Sequence, residues 1–156
     1  LVNIWVRKEF RNLKRMRKYG LRVPEPKFSL KNVLVMEYIG DDEAPSPRLK
    51  DIELEDPVTV FEELLEMVAI IWQTCDLVHA DFSEYNILWL EGQPWIIDVG
   101  QGVTTRHPNA KEFLVRDVTR LTEWIGRKGH EFSIAESLVR VLDDPVPKLE
   151  PFPSGD

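Results

Sequence analysis

Val6, Phe10 and Leu13, continued by the long side chain of Arg17, recur at spacings of three and four residues and end before Gly20. That period predicts a helix from about Val6 to Tyr19 with a glycine stop. Glu9 lies four residues before Leu13, close to the stripe such a helix buries, and an acid so placed needs a partner that the nearby sequence does not offer. Pro24 and Pro26 mark an extended connector, Phe28 to Leu30 a short strand, and the branched apolar run from Val33 to Tyr38, bounded by Asn32 and Gly40, a buried strand. The acidic, proline-bearing stretch from Gly40 to Pro47 reads as a loop. Asp56 and Pro57 then supply a cap and a first-turn proline for a strong helix whose stripe is Phe61, Leu64, Leu65, Val68, Ile71, Trp72 and Cys75.

Beyond that helix the period changes. Ile87 to Leu90 and Trp95 to Val99 predict two short strands joined by Glu91-Gly92-Gln93-Pro94. A helix follows from about Pro108, with Phe113, Leu114, Val118, Leu121 and Ile125 inward, and Ser133 with Glu136 has the capping-box spacing that opens a last helix. The tail after Asp143 holds several prolines and is expected to be loose. No internal repeat is present.

Composition narrows the class. The 156 residues suit one domain with a real core, 43% of them are apolar, and no run approaches the ~20 apolar residues of a membrane span. A single cysteine excludes an internal disulfide and a cysteine-based metal cage, so an intracellular setting is the default. The net charge of −7 argues against a protein that coats nucleic acid non-specifically. The charge is nevertheless uneven, because the first 22 residues hold eight cations against the single acid Glu9. A solvated helix face is the simpler account of that run, and contact with a phosphate-rich partner is the other.

The chemistry sits in Val78-His79-Ala80-Asp81-Phe82-Ser83-Glu84-Tyr85-Asn86 and, after the hairpin, Ile96-Ile97-Asp98-Val99-Gly100. His-x-Asp with an asparagine five positions after the aspartate, then Asp-x-Gly, follows the order of the catalytic and metal loops of protein kinases. In that order Asp81 meets the attacking hydroxyl or water, Asn86 turns an amide oxygen to Mg²⁺, and Asp98 returns a carboxylate to bridge metal and phosphates. Mg²⁺ takes few ligands from protein, so one amide and one carboxylate suffice. His79 reads as a scaffold residue, since phosphoryl transfer assigns it no proton. His107 and His130 are too dispersed for a zinc site.

Those two segments, extended through Leu88 and Gln101, resemble the RIO family of atypical serine protein kinases, and most closely its type-one, archaeal-like branch. Trp5-x-x-Lys8-Glu9-x-Arg11-Asn12-Leu13 resembles the start of that family's helix C, and Val33 to Gly40 resembles its hinge strand. The resemblance implies a gatekeeper place for Met36, backbone groups of Glu37 and Ile39 offered to adenine, and for Glu9 the helix C acid that pairs with the nucleotide-binding lysine. It implies ATP with Mg²⁺ or Mn²⁺ as cofactors, and Asp81 and Asp98 as catalytic residues. It also implies that Asp98 itself accepts phosphate, and that the pre-ribosomal small subunit is a partner in a cytoplasmic role in its maturation.

The family's glycine-rich loop and lysine strand have no counterpart here. Gly100-Gln101-Gly102 is the only Gly-x-Gly, and no lysine strand precedes Glu9. The expected fold is therefore α+β and protein-kinase-like, truncated at the N-terminus. Residues 1–40 would form an N-lobe remnant of helix C and hinge strand, residues 41–145 the helical C-lobe with both loops, and residues 146–156 a flexible tail. The expected function is ATP-dependent phosphoryl transfer as an atypical serine protein kinase or ATPase, with these residues alone inactive. Two rivals stay open: a small-molecule kinase of the aminoglycoside-phosphotransferase type, and a non-catalytic, ribosome-docking pseudokinase.

Overall fold

The computed structural model describes residues 2–153. In chain order the elements are α1 (Val2–Lys18), β1 (Pro26–Leu30), β2 (Val33–Met36), a 3₁₀ turn (Leu49–Asp51), α2 (Pro57–Gln73), β3 (Leu77–Val78), β4 (Ile87–Leu90), β5 (Gln93–Ile96), β6 (Val103–Thr104), α3 (Ala110–Arg127) and α4 (Ile134–Asp143). The strands form three antiparallel pairs, β1 with β2, β3 with β6 and β4 with β5.

α2 is the hub. The aspartate expected as its cap accepts the Thr59 N–H, and Pro57 sits at the first position, where the missing N–H costs nothing. Its stripe is wider than the period indicates, because Val60, Met67, Ala69 and Ile70 are buried as well. A helix apolar nearly all round is one packed on several sides, and α2 meets α3, α4 and β3. Ser133 caps α4 by accepting the Glu136 N–H.

α1 starts at Val2, four residues before the predicted start. Ile4 and Trp5 are exposed there, so that first turn carries no burial period to read. Its buried residues are Asn12, Leu13 and Met16, whereas Phe10 and Arg17 are only half-buried. Helix end and turn form a Schellman motif: Gly20 N–H donates to Arg17 O (3.0 Å) and Leu21 N–H to Met16 O (3.1 Å), with Gly20 at φ 85°.

The buried strand predicted over Val33 to Tyr38 is corrected. β2 ends at Met36, and Val33, Met36 and Tyr38 are exposed, because among the described residues only β1 pairs with it. Branched apolar residues set strand propensity, but burial needs a covering layer. The second hairpin strand also stops early, at Ile96. Ile97 N–H still reaches Asn86 O at 3.0 Å, and the chain then turns left-handed at Asp98, φ 55°.

The segment after α4, expected to be loose, makes contacts as far as it is described. Gln73 Nε2 donates to Val141 O and Asp144 O, Val146 and Leu149 pack on the core, and Phe152 lies under the Arg17 guanidinium at 4.0 Å. Positions 154–156 of the expected flexible tail lie outside the described residues.

Candidate active site

The loop after β3 is held from beneath by one buried carboxylate. Asp117, in α3, accepts the Ala80 N–H at 2.9 Å on one oxygen and the Phe82 N–H at 3.1 Å on the other. The neighbouring Arg116 donates to Ala80 O. Ala80 is thereby fixed at φ 74°, a left-handed conformation that a residue with a Cβ adopts only when its surroundings impose it. Burial pushes the Asp117 carboxyl up to about 7, against the pull of the two amides and the nearby arginines.

His79 ties the same loop to the hairpin. Its Nδ1 accepts the Asp81 N–H (3.1 Å), which leaves Nε2 as the protonated nitrogen donating to Ile97 O (2.9 Å). Burial holds its pKa below the usual value, so the neutral ring serves as a strut between the two candidate loops. That is the scaffold role expected from the motif.

Asp81 therefore enters the site on a braced backbone. Arg120 Nη1 donates to its Oδ1 at 2.6 Å, and Asn86 Nδ2 donates to its Oδ2 at 2.9 Å and to its carbonyl at 2.8 Å. With its NH₂ group committed to Asp81, Asn86 has its amide oxygen left for another ligand. Ile97 N–H bonding to Asn86 O brings the residue just before Asp98 against Asn86. Asp98 is exposed and accepts no hydrogen bond among the described residues, and it lines a cleft of about 590 Å³ together with Asp81 and Glu9. Asn86 borders a second cavity that Asp81 also lines.

Among the described residues no three His, Cys, Asp or Glu side chains are grouped to hold a metal. The Asn86 amide and the Asp98 carboxylate are hard oxygens that line neighbouring cavities sharing Asp81. They suit Mg²⁺ or Mn²⁺, whose remaining ligands come from phosphates and water.

Glu9 reaches this cleft from α1. A Cβ on Gly100 would lie 3.2 Å from its Oε2, so a side chain there would crowd the acid. Burial first, and the Asp98 charge second, raise its pKa. Met36, Glu37 and Ile39 do not line the cleft. Met36 is exposed and Ile39 buried. Glu37 N–H is taken by Glu25 O (2.8 Å) and Ile39 O by Ser46 N–H (3.1 Å), which leaves the Glu37 carbonyl and the Ile39 N–H as the backbone groups for an outside ligand.

Sequence reading missed the α3 residues: Asp117, Arg116, Arg120 and also Arg127, which pairs with the buried Glu84 at 3.0 Å. Asp117 did carry a signal. It lies three residues after Leu114 and four before Leu121, an acid on a buried face, the same oddity that marks Glu9.

The RIO domain model matches residues 1–138. Human serine/threonine-protein kinase RIO3 is 37% identical over 138 residues, covering 87% of this chain and 27% of the relative. The RIO-type kinase Rio1 of Haloferax volcanii is 43% identical over 129 residues, covering 83% of this chain and 44% of the relative. The crystal structure of the Rio2 kinase-ADP/Mg²⁺-phosphoaspartate complex from Chaetomium thermophilum superposes with a TM-score of 0.77 at 25% identity, over 92% of this chain and 46% of that one. The likeness carries the kinase-like α+β fold expected from the sequence. The chain spans less than half the length of these relatives. No described helix is long and apolar enough to cross a membrane.

Proposed function

The chain belongs to the RIO domain family, and from that membership we propose that the protein transfers the γ-phosphate of ATP as an atypical serine protein kinase or ATPase. The observation that carries the reading is the carboxylate pair at the cleft. Asp81 is held on both oxygens, while Asp98 stands in a left-handed turn with its carboxylate exposed and unbonded. Asp81 orients the attacking oxygen and takes its proton, which requires one of its two oxygens to be released by Arg120 or Asn86. Asn86 and Asp98 would hold a divalent ion, whose charge would neutralise the phosphates. The Glu37 carbonyl and Ile39 N–H meet adenine, beside Met36. Glu9, poised over Gly100, awaits a cation.

The C. thermophilum Rio2 kinase was crystallised as a phosphoaspartate complex. In this chain the candidate acceptor is Asp98. Its free oxygen attacks the γ-phosphorus, the P–O bond to ADP breaks, and an acyl phosphate forms that water then hydrolyses. The family resemblance extends the reading to a cytoplasmic role in maturing the small ribosomal subunit, with its protein and RNA as partners.

Incubation of the full-length protein, carrying the family's glycine-rich loop and lysine strand, with γ-labelled ATP and Mg²⁺, followed by hydroxylamine, tests the scheme. Hydroxylamine cleaves acyl phosphates and spares phosphoserine, so the expected result is label lost on treatment and absent from Asp98→Ala. Surviving label that maps to serine reduces Asp98 to a metal ligand, and no Mg²⁺-dependent labelling or ATP turnover removes phosphoryl transfer altogether.

A further inference from the structure

A groove of about 1060 Å³ runs along α1, meeting the Asp98 cleft at Lys8, Val103 and His107. Lys8, Arg11, Arg15 and Lys18 line it at spacings of three, four and three, one cation per turn along about 15 Å of helix, and Lys14 stands beside them. Arg11, Lys14, Arg15 and Lys18 are exposed, and among the described residues none of the five makes an ion pair. Arg17 is the exception on the helix, turned to Glu25 and Glu37. Among the described residues Glu25 is the only acid lining the groove, and it is bridged to Arg17 and Lys27.

Like charges three and four apart destabilise a helix. Such a row in a protein of net charge −7 is a local reversal of sign that a bound anion would relieve. We propose that this groove binds the sugar–phosphate backbone of single-stranded nucleic acid.

Its shape and chemistry choose the ligand. A bilayer surface does not enter a concave groove walled by Val103, Thr104 and the Pro151–Pro153 segment. A peptide strand presents its carboxylates to alternate faces, whereas a phosphodiester strand presents an anion at every link, which suits a cation at every turn. Phe10 lies under Lys14 (5.5 Å) and Phe152 under Arg17 (4.0 Å), so both phenylalanine rings of the groove already carry a cation on a face and offer a poor platform for bases. Binding is therefore read through phosphates, without base preference. This site stands on the charge of α1 and not on the phosphoryl-transfer reading, and either can hold without the other.

Fluorescence anisotropy with a labelled 12-mer oligouridylate, without ATP or Mg²⁺, measures affinity against KCl concentration. Four phosphate contacts on a single strand predict a log–log slope near −3 and about 50-fold weaker binding at 200 mM than at 50 mM salt. Arg11→Gln, Lys14→Gln, Arg15→Gln and Lys18→Gln combined should bring the slope to about −0.7, the Lys8 contact alone remaining. In the unaltered protein, which avoids any folding defect of that variant, the oligonucleotide should shield Lys14 and Lys18 from acylation but not Lys111 or Lys128. An unchanged slope or unshielded lysines overturns the proposal. Oligoglutamate of equal charge competing as well as the oligouridylate also overturns it, assigning the groove to an acidic protein segment.

Discussion

Asp81 and Asp98 carry the same functional group in opposite circumstances, and substitutions should separate them. Asp81 is bonded on both oxygens and is assigned to the transition state. In the full-length protein Asp81→Asn should lower turnover by about 10² or more while leaving Mg·ATP affinity within a few-fold of the parent, as measured by nucleotide titration. If affinity falls in step with rate, Asp81 is a metal ligand or a structural residue. Asp98 is an unbonded carboxylate facing the cleft, so Asp98→Ala should weaken Mg·nucleotide binding. Asn86→Ala should weaken it less at the metal, since a neutral amide holds a hard cation less strongly than a carboxylate does. That variant also frees the Asp81 Oδ2, so its rate should change more than its affinity.

At the scale of elements, helix ends decide more than helix interiors. Ser133→Ala removes the acceptor of the Glu136 N–H and should cost about 1 kcal/mol in denaturant titration, with no effect on nucleotide binding. Gly20 is the stronger case. A side chain there meets a positive φ, which costs roughly 1–2 kcal/mol, and its Cβ would stand 2.5 Å from Leu149 Cβ and 2.6 Å from Glu150 O. Gly20→Ala should therefore destabilise by more than the backbone term alone, through displacement of the segment after α4 from α1. A melting temperature equal to the parent's would show that this segment does not bear on the turn.

The molecule as a whole should report its buried carboxyls through pH. The Asp117 carboxyl stands at about 7 in the folded state against 3.8 for an ordinary aspartate, because burial outweighs its two amide donors. A group raised in this way favours the folded state fully below its unfolded value, and that contribution is lost as pH rises toward the folded one. Glu9 and Glu84 are raised as well and act in the same direction, whereas His79, depressed by burial, opposes them as pH falls through 6.5. Asp117→Asn isolates one contribution. It keeps one acceptor and leaves one loop amide unpaired, costing about 1–3 kcal/mol, and the deficit should shrink between pH 4 and pH 7 as the parent loses its own advantage. A deficit that grows with pH over that range would mean that the carboxylate, not the acid, holds the loop.

How much of this was legible varies with the reach of the interaction. Caps, turns and amphipathic stripes depend on residues within four positions of each other, so Asp56, Ser133, Gly20 and the α2 stripe could be read directly from the chain. The loop Asp81 to Asn86 and the aspartate at 98 stood out as candidates because they follow the order of the kinase motif set, and the RIO resemblance followed from the same residues. Glu9 and Asp117 show the limit. Each betrays itself as an acid on a buried face, but which groups it faces depends on chain about 90 and 35 residues away, respectively. Only the tertiary structure sets Asp117 under the loop backbone, pairs Arg120 with Asp81, exposes β2, and lays the 151–153 segment along a groove of cations. Those outcomes depend on which surfaces come to cover one another, a property of the packed molecule that no local period encodes.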